Sequence, residues 1–251
     1  MIELNKVHNI DCIEFMKDIP DKFIDLIITD PPYLINYSSF RTNSKVIKND
    51  DNTNWVAPFF KELSRIVKNG SHLYCFCDFE MSSDFLIEIR KYLNVRNLLC
   101  IPRKIKGNGG DRIFQQQNEH CIFATRGKKD DGRKFNQTQI LKPSEGYLKD
   151  KRYKAKEWLY RLPDYWYWTS ASEFNHNRIH PNQKNVSCLE NMIDISSLEN
   201  EIIFDPFCGS GSTLVASINR KRKYLGCELE KSYFESCQKR IIEHSESSKI
   251  G

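Results

Sequence analysis

Apolar and polar positions along this chain switch between a two-residue and a helical period, which predicts strands and helices in alternation. A strand is expected near Leu4–Asn9, and Asp11 can cap a short helix that runs through Asp18. The apolar run Phe23–Thr29 predicts the next strand. Helical spacing from Trp55 to Lys68, stopped by Asn69-Gly70, precedes a strand at Ser71–Cys77 and a helix at Ser82–Leu93. Strands at Val95–Pro102 and Glu119–Thr125 follow, then a helix at Asn185–Ser196. A strand ending at Asp205, a glycine turn, a further strand from Lys223 and two final helices complete the order. Alternation of this kind belongs to an α/β fold. No internal repeat is evident.

Two stretches break the pattern. Tyr37–Asn54 is dominated by Ser, Asn, Asp and Lys and reads as a long mobile loop, able to close over a substrate. Lys104–Gly110 is a basic loop with three glycines.

The strand ending at Thr29 runs straight into Asp30-Pro31-Pro32-Tyr33. Each proline lacks an N–H and fixes φ near −65°, so the strand must stop there. A carboxylate, two carbonyls and a flat aromatic then sit together at the carboxyl edge of the sheet, where open α/β folds bind ligands. Near the other end, Glu201-Ile202-Ile203-Phe204-Asp205-Pro206-Phe207-Cys208-Gly209-Ser210-Gly211-Ser212-Thr213 reads as strand, glycine turn and helix start. Such a turn brings bare backbone and helix-start N–H groups against a small ligand. It does not complete Gly-x-Gly-x-x-Gly, because position 214 is Leu, and it lacks the Gly-Lys-Ser/Thr of a phosphate loop. The following stretch, Lys223–Glu230, reads as a strand of apolar character ending in acid, with Glu228 placed to accept hydrogen bonds from both hydroxyls of a ribose; Glu230 fits an ordinary exposed Glu.

Asp-Pro-Pro-Tyr, Asp-Pro-Phe-x-Gly-Ser-Gly-Ser and the intervening His180-Pro181-Asn182-Gln183-Lys184, in that order, resemble the S-adenosylmethionine-dependent DNA amino-methyltransferases of the β group. The resemblance covers nearly the whole chain and is weakest from Val95 to Ser170. It implies a circularly permuted, seven-stranded, mostly parallel Rossmann-like sheet with one antiparallel edge strand and an inserted target-recognition region. The implied halves are 1–125, catalytic, and 178–251, cofactor-binding, with the insert at 126–177. S-adenosylmethionine would lie over Gly209 and Gly211, with Asp205 and Lys184 near its methionine end. Phe207, Ser212 and Thr213 would complete that wall, with Glu228 on the ribose and Asp11 accepting from the adenine amino group. Asp11 could equally be only a helix cap. Position 185 is Asn where the family usually has Pro, and Asn182 stands where Thr is frequent.

For the chemistry, the resemblance implies a base flipped out of duplex DNA and stacked on Tyr33, its amine held by the Asp30 carboxylate and the Pro31 carbonyl, with Pro32 completing the turn. Direct displacement needs no covalent intermediate. Asp at position 30 is typical of N6-adenine enzymes in this family, with N4-cytosine the alternative. A cytosine C5 enzyme is disfavoured because its Pro-Cys is absent. A release-factor glutamine methyltransferase would carry Asn at position 30 and its glycine turn first. A nucleic-acid-binding remnant without activity would have a broken site, yet Asp30, Tyr33, Gly209, Gly211 and Glu228 are all present.

Composition sets the remaining limits. With 251 residues, 39% hydrophobic and 28% charged, the chain can bury one substantial core and carry an insert. Its net charge of +5 is exceeded by that of the stretch Arg126–Lys184 alone, which also holds Tyr153, Trp158, Tyr160, Tyr165, Trp166, Tyr167 and Trp168. Basic side chains interleaved with aromatics suit phosphates and bases, so Lys151, Arg152, Lys154, Lys156, Trp166 and Trp168 are the candidate DNA contacts, with double-stranded DNA as the partner. Family members often pair and often accompany a restriction endonuclease, which names two further partners. Nine scattered cysteines read as buried thiols, and no His/Cys spacing suggests a metal. No signal-peptide pattern opens the chain and no apolar stretch approaches bilayer length, so a cytoplasmic protein is expected, without membrane contact.

Overall fold

A computed structural model describes residues 2–32, 53–102, 118–127, 135–136 and 184–247. Their elements run β1 (Lys6–His8), α1 (Cys12–Asp18), β2 (Ile24–Thr29), α2 (Val56–Ile66), β3 (Val67–Cys77), α3 (Ser82–Arg90), β4 (Asn94–Pro102) and β5 (Asn118–Thr125). Then come α4 (Val186–Ser196), β6 (Ile202–Asp205), α5 (Ser212–Asn219), β7 (Lys223–Cys227) and α6 (Lys231–Ser247). The seven strands form one sheet in the order β1-β7-β6-β2-β3-β5-β4. All six residues of β2 are buried, as a central strand covered on both faces requires.

Alternation along β3 sorts the core into layers. Leu73, Cys75 and Cys77 face α1, α2 and α3, among Phe15, Phe59, Leu63 and Phe85. Tyr74 and Phe76 face α4, whose Leu189, Met192 and Ile193 cover the opposite side. α6 closes a third cluster over Val7 and Tyr224 through Cys237 and Ile241. Helix, sheet and helix therefore form three layers, with the expected α/β order.

Two expectations need correction. The antiparallel strand is β5, and it is not at the edge: it pairs with β3 on one side and β4 on the other. α3 carries the chain past a vacant strand position, so β4 lies parallel to β3 one place out, and β5 folds back between them. The second concerns Asn69-Gly70, which was expected to stop α2. That helix ends at Ile66 and β3 already begins at Val67, paired with Ile24. Arg126 explains the early stop, because its guanidinium donates to the carbonyls of Ser64, Arg65 and Val67, groups a helix end leaves without partners. Gly70, with φ +79°, instead lies in a bulge where a step of two along β2 matches a step of five along β3.

Candidate active site at the carboxyl edge of the sheet

β2 and β6 are parallel neighbours, with Leu26 opposite Ile203 and Ile27 opposite Phe204. From β2 the chain continues outward to β3, and from β6 it continues the other way to β7. The crevice of an open α/β sheet lies at such a reversal. Asp30-Pro31-Pro32 leaves the end of β2 and Pro206-Phe207-Cys208-Gly209 leaves the end of β6, so the two motifs, 175 residues apart in the chain, flank one switch point.

The turn after β6 is held from inside. Asp205 is buried, and its Oδ1 accepts from the Phe207 N–H at 3.1 Å while the Thr213 hydroxyl donates to the same carboxylate. Burial pushes this carboxyl up to about 7, opposed by those two donors and reinforced by the Asp30 and Glu228 charges. Gly209 and Gly211 have φ +47° and +77°, left-handed values that favour glycine, and Gly211 is the N-cap position of α5. The second glycine has a further reason inside the protein, beside the expected one. A Cβ there would stand 2.6 Å from the Cys237 Sγ of α6, so the missing side chain makes room for the protein itself. Arg240, one turn further along α6, donates to the Ser210 carbonyl at 2.9 Å and to the Ser212 hydroxyl at 3.1 Å. Ser212 is thus engaged from behind the turn. Neither Cys237 nor Arg240 carries a motif that would have revealed it.

Glu228 follows β7 directly. Its Oε2 accepts from the Gly209 N–H at 3.0 Å and its Oε1 from the Glu230 N–H at 2.8 Å, tying the glycine turn to the next strand end. Burial raises its pKa, and these backbone donors pull it down. Each oxygen of a carboxylate has a second acceptor position, so ribose hydroxyls could still be taken. Glu230 is exposed and its side chain faces Ser232. Asp11 is an N-cap: its Oδ1 accepts from Ile13 N–H at 2.9 Å and Glu14 N–H at 3.3 Å. Among the described residues nothing hydrogen-bonds its Oδ2. Phe207 is half-buried against Trp55 and Phe59, with ring centroids 5.8 and 5.2 Å away.

Lys184 is the pivot of the other half. Its ammonium lies 2.9 Å from the Asp30 Oδ2 and 3.0 Å from the Glu119 Oε1, and 4.5 Å above the Phe76 ring. The Lys184 and Glu119 side chains are 9% and 7% exposed and that of Asp30 19%, so these three charged groups are largely desolvated. Asn185 makes the local helix start secure despite the absent proline, because its side chain caps α4 by accepting from Ser187 N–H at 2.8 Å. Sequence reasoning missed Glu119. The available signal was a charge on the first turn of an apolar strand. Because β5 is antiparallel, its beginning lies at the carboxyl edge of its neighbours: Glu119 stands opposite Ile101, and His120 opposite Cys77.

Tyr33, Lys151, Arg152, Lys154, Lys156, Trp166 and Trp168 lie outside the described residues, as do both loops expected at 37–54 and 104–110 apart from Thr53 and Asn54. Within the basic stretch, Arg126 and Lys184 are the two described cations, and both are committed inside the fold. Phe135 and Asn136, from the expected insert, pack on the core: Asn136 N–H donates to the Ile195 carbonyl, and Phe135 lies near Phe123. Eight of the nine cysteines are buried, Cys100 is intermediate, and none forms a disulfide, as expected. Burial pushes the Cys77 thiol up to about 12, an unreactive value. Among the described residues no three His, Cys, Asp or Glu side chains gather into a metal site, and no helix is long and apolar enough to cross a membrane.

A family model described as DNA methylase, of the N6 and N4 type, matches residues 24–239. The type II methyltransferase M.BglII of Bacillus subtilis is 27% identical over 251 residues, covering 92% of this chain and 67% of that protein. Among solved structures, the M1.HpyAVI–SAM complex matches with a TM-score of 0.68 at 23% identity, covering 94% of this chain and 98% of that one. The cytosine-N4-specific PvuII DNA methyltransferase matches with a TM-score of 0.70 at 14% identity, covering 95% and 86%. At those identities the structural likeness establishes the shared fold. The family match spans the Asp-Pro-Pro end of β2, Glu119, Lys184, the glycine turn and Glu228 alike, and the chain belongs to the N6 and N4 DNA methylases.

Proposed function

We propose that this DNA methyltransferase transfers a methyl group from S-adenosylmethionine to the N6 amine of an adenine flipped out of double-stranded DNA. The observation that carries the reading is the placement of Asp30 and Pro31 beside the Asp205–Thr213 turn across the β2/β6 reversal, with Lys184 between two carboxylates at the same edge.

The residues around the turn fit the cofactor. Gly209 and Gly211 give a left-handed backbone, Glu228 offers acceptors at the end of β7, and Phe207 offers a half-buried ring. When bound, S-adenosylmethionine supplies a methyl group on a positively charged sulfur. Asp205 serves chiefly to shape the turn, since its carboxylate already holds Phe207 N–H and Thr213. Asp11 caps α1 with one oxygen and keeps the other for the adenine amino group of the cofactor.

Toward the target base, the Asp30 carboxylate and the Pro31 carbonyl accept hydrogen bonds from the exocyclic amine, which directs its lone pair out of the base plane. Flipping the base costs a few kcal/mol, and stacking on Tyr33 returns about 1–3 kcal/mol. The basic, aromatic stretch ending at Lys184 supplies phosphate and base contacts through Lys151, Arg152, Lys154, Lys156, Trp166 and Trp168. The type II designation of M.BglII favours a restriction endonuclease as a functional companion. Adenine is favoured over cytosine by Asp rather than Ser at position 30, and by the larger stacking surface of a purine.

The test is chemical. DNA methylated by the purified protein, digested to nucleosides and analysed by mass spectrometry, should contain N6-methyladenine. N4-methylcytosine alone would overturn the base assignment, and no methylated nucleoside would overturn the activity.

A further inference from the structure

The ion cluster at the site contains one more carboxylate than the proposed chemistry uses. Asp30 is the acceptor for the amine, and Lys184 pairs with it, but Glu119 reaches the same ammonium from β5. A buried charge is retained at a cost unless it is paired, and truncating one member of such a pair leaves the others uncompensated. The Lys184–Asp30 pair would already be neutral. Among the described residues Glu119 is the second carboxylate on that ammonium, and it reaches it from a different strand.

Geometry suggests a purpose for it. Lysine is a flexible four-carbon arm with a compact charge, able to swing between acceptors. Held at 3.0 Å by Glu119 and lying 4.5 Å over the Phe76 ring, its ammonium is restrained on two sides, and Asp30 Oδ2 meets it at 2.9 Å. A carboxylate fixed through one oxygen has its plane fixed too, and with it the direction of the other oxygen. β5 can deliver Glu119 to this edge only because it runs antiparallel to β3.

We infer that Glu119 is a positioning residue for methyl transfer: acting through Lys184, it sets the orientation of the Asp30 carboxylate that receives the target amine. The inference rests on the proposed amine-methylation reading and adds to it a residue on a different strand. Lys184 is then tied to the acceptor side of the reaction as well as to the methionine end of the cofactor.

The experiment compares Glu119→Gln, Glu119→Asp and wild type as full-length chains, measuring kcat and KM for labelled-methyl transfer, cofactor Kd by calorimetry and the thermal midpoint. Misdirecting a reacting group by a fraction of an ångström is expected to lower kcat for Glu119→Gln roughly 10- to 100-fold. Cofactor Kd should stay within about twofold, and Glu119→Asp, which keeps the charge, should recover part of the loss. In an Asp30→Asn background, which leaves Lys184 paired with Glu119, Glu119→Gln should lower the residual rate no further. Unchanged kcat in a folded Glu119→Gln would overturn the inference, as would a loss confined to cofactor affinity. If Glu119→Gln fails to fold, the decision passes to Glu119→Asp: a folded protein whose kcat falls several-fold with cofactor Kd unchanged supports positioning, and wild-type kcat, or a loss confined to cofactor Kd, overturns it. Inactive wild type would refute the underlying reading instead, so the two failures are distinguishable.

Discussion

Gly211 offers a direct test of why the turn after β6 contains glycine. Replacing it with alanine imposes two costs that the structure separates. At φ +77° an L-residue is disfavoured by about 1–2 kcal/mol. The added Cβ also meets Cys237 Sγ at 2.6 Å inside a packed cluster, and relieving such overpacking typically costs about 1–3 kcal/mol. Gly211→Ala should therefore lose about 2–5 kcal/mol, a large part of ordinary domain stability. Cys237→Ala removes the sulfur and leaves a neighbour Cβ at 3.8 Å, an ordinary contact. In that background Gly211→Ala should lose only the conformational part, giving a favourable coupling of about 1–3 kcal/mol between the two sites. Urea unfolding of the four proteins without ligand measures the cycle. Equal losses in both backgrounds, or a single-mutant loss under about 0.5 kcal/mol, would show that α6 does not dictate this glycine.

Glu228→Ala should weaken S-adenosylmethionine binding by about 1–3 kcal/mol, because a charged acceptor is lost, while Glu230→Ala should do little; calorimetry giving equal effects would remove the ribose assignment. Asp205 makes a pH prediction. With burial raising its carboxyl from an ordinary 3.8 to about 7, the native state binds more protons than the unfolded state between those values. Stability from this group is thus fully present below about pH 4 and is lost as pH rises through about 7. The urea midpoint of wild type relative to Asp205→Asn should fall between pH 5 and pH 8, and a relative rise would contradict the sign.

The parts of the site that follow from local rules were legible in the sequence. Two prolines after Thr29 end β2 wherever it is placed, so Asp30 had to stand at a strand end. The glycines after Asp205 likewise announced a strand-turn-helix unit, and Asp11 was readable as a helix cap because its short side chain can reach the first free N–H groups. What escaped depends on contacts distant in the chain. Arg126 ends α2 from just past the end of β5, about 60 residues later, which no helical pattern around Asn69-Gly70 could disclose. Glu119 reads as an ordinary polar strand start until β5 is known to run backwards between β3 and β4, and that follows from pairing rather than composition. Cys237 and Arg240 sit on a polar helix whose spacing resembles any surface helix, and only the packing of α6 on the turn gives them meaning.

The central claim is that Asp30 and the glycine turn form one amine-methylating site with separable duties. Labelled-methyl transfer to DNA and calorimetric cofactor binding, measured side by side on wild type and Asp30→Ala, test it most directly. Lys184 keeps Glu119 as a partner when Asp30 is removed, so the variant should fold. The account predicts that transfer is abolished while S-adenosylmethionine affinity changes little. Near-normal transfer by Asp30→Ala, or loss of cofactor binding in step with activity, would contradict it.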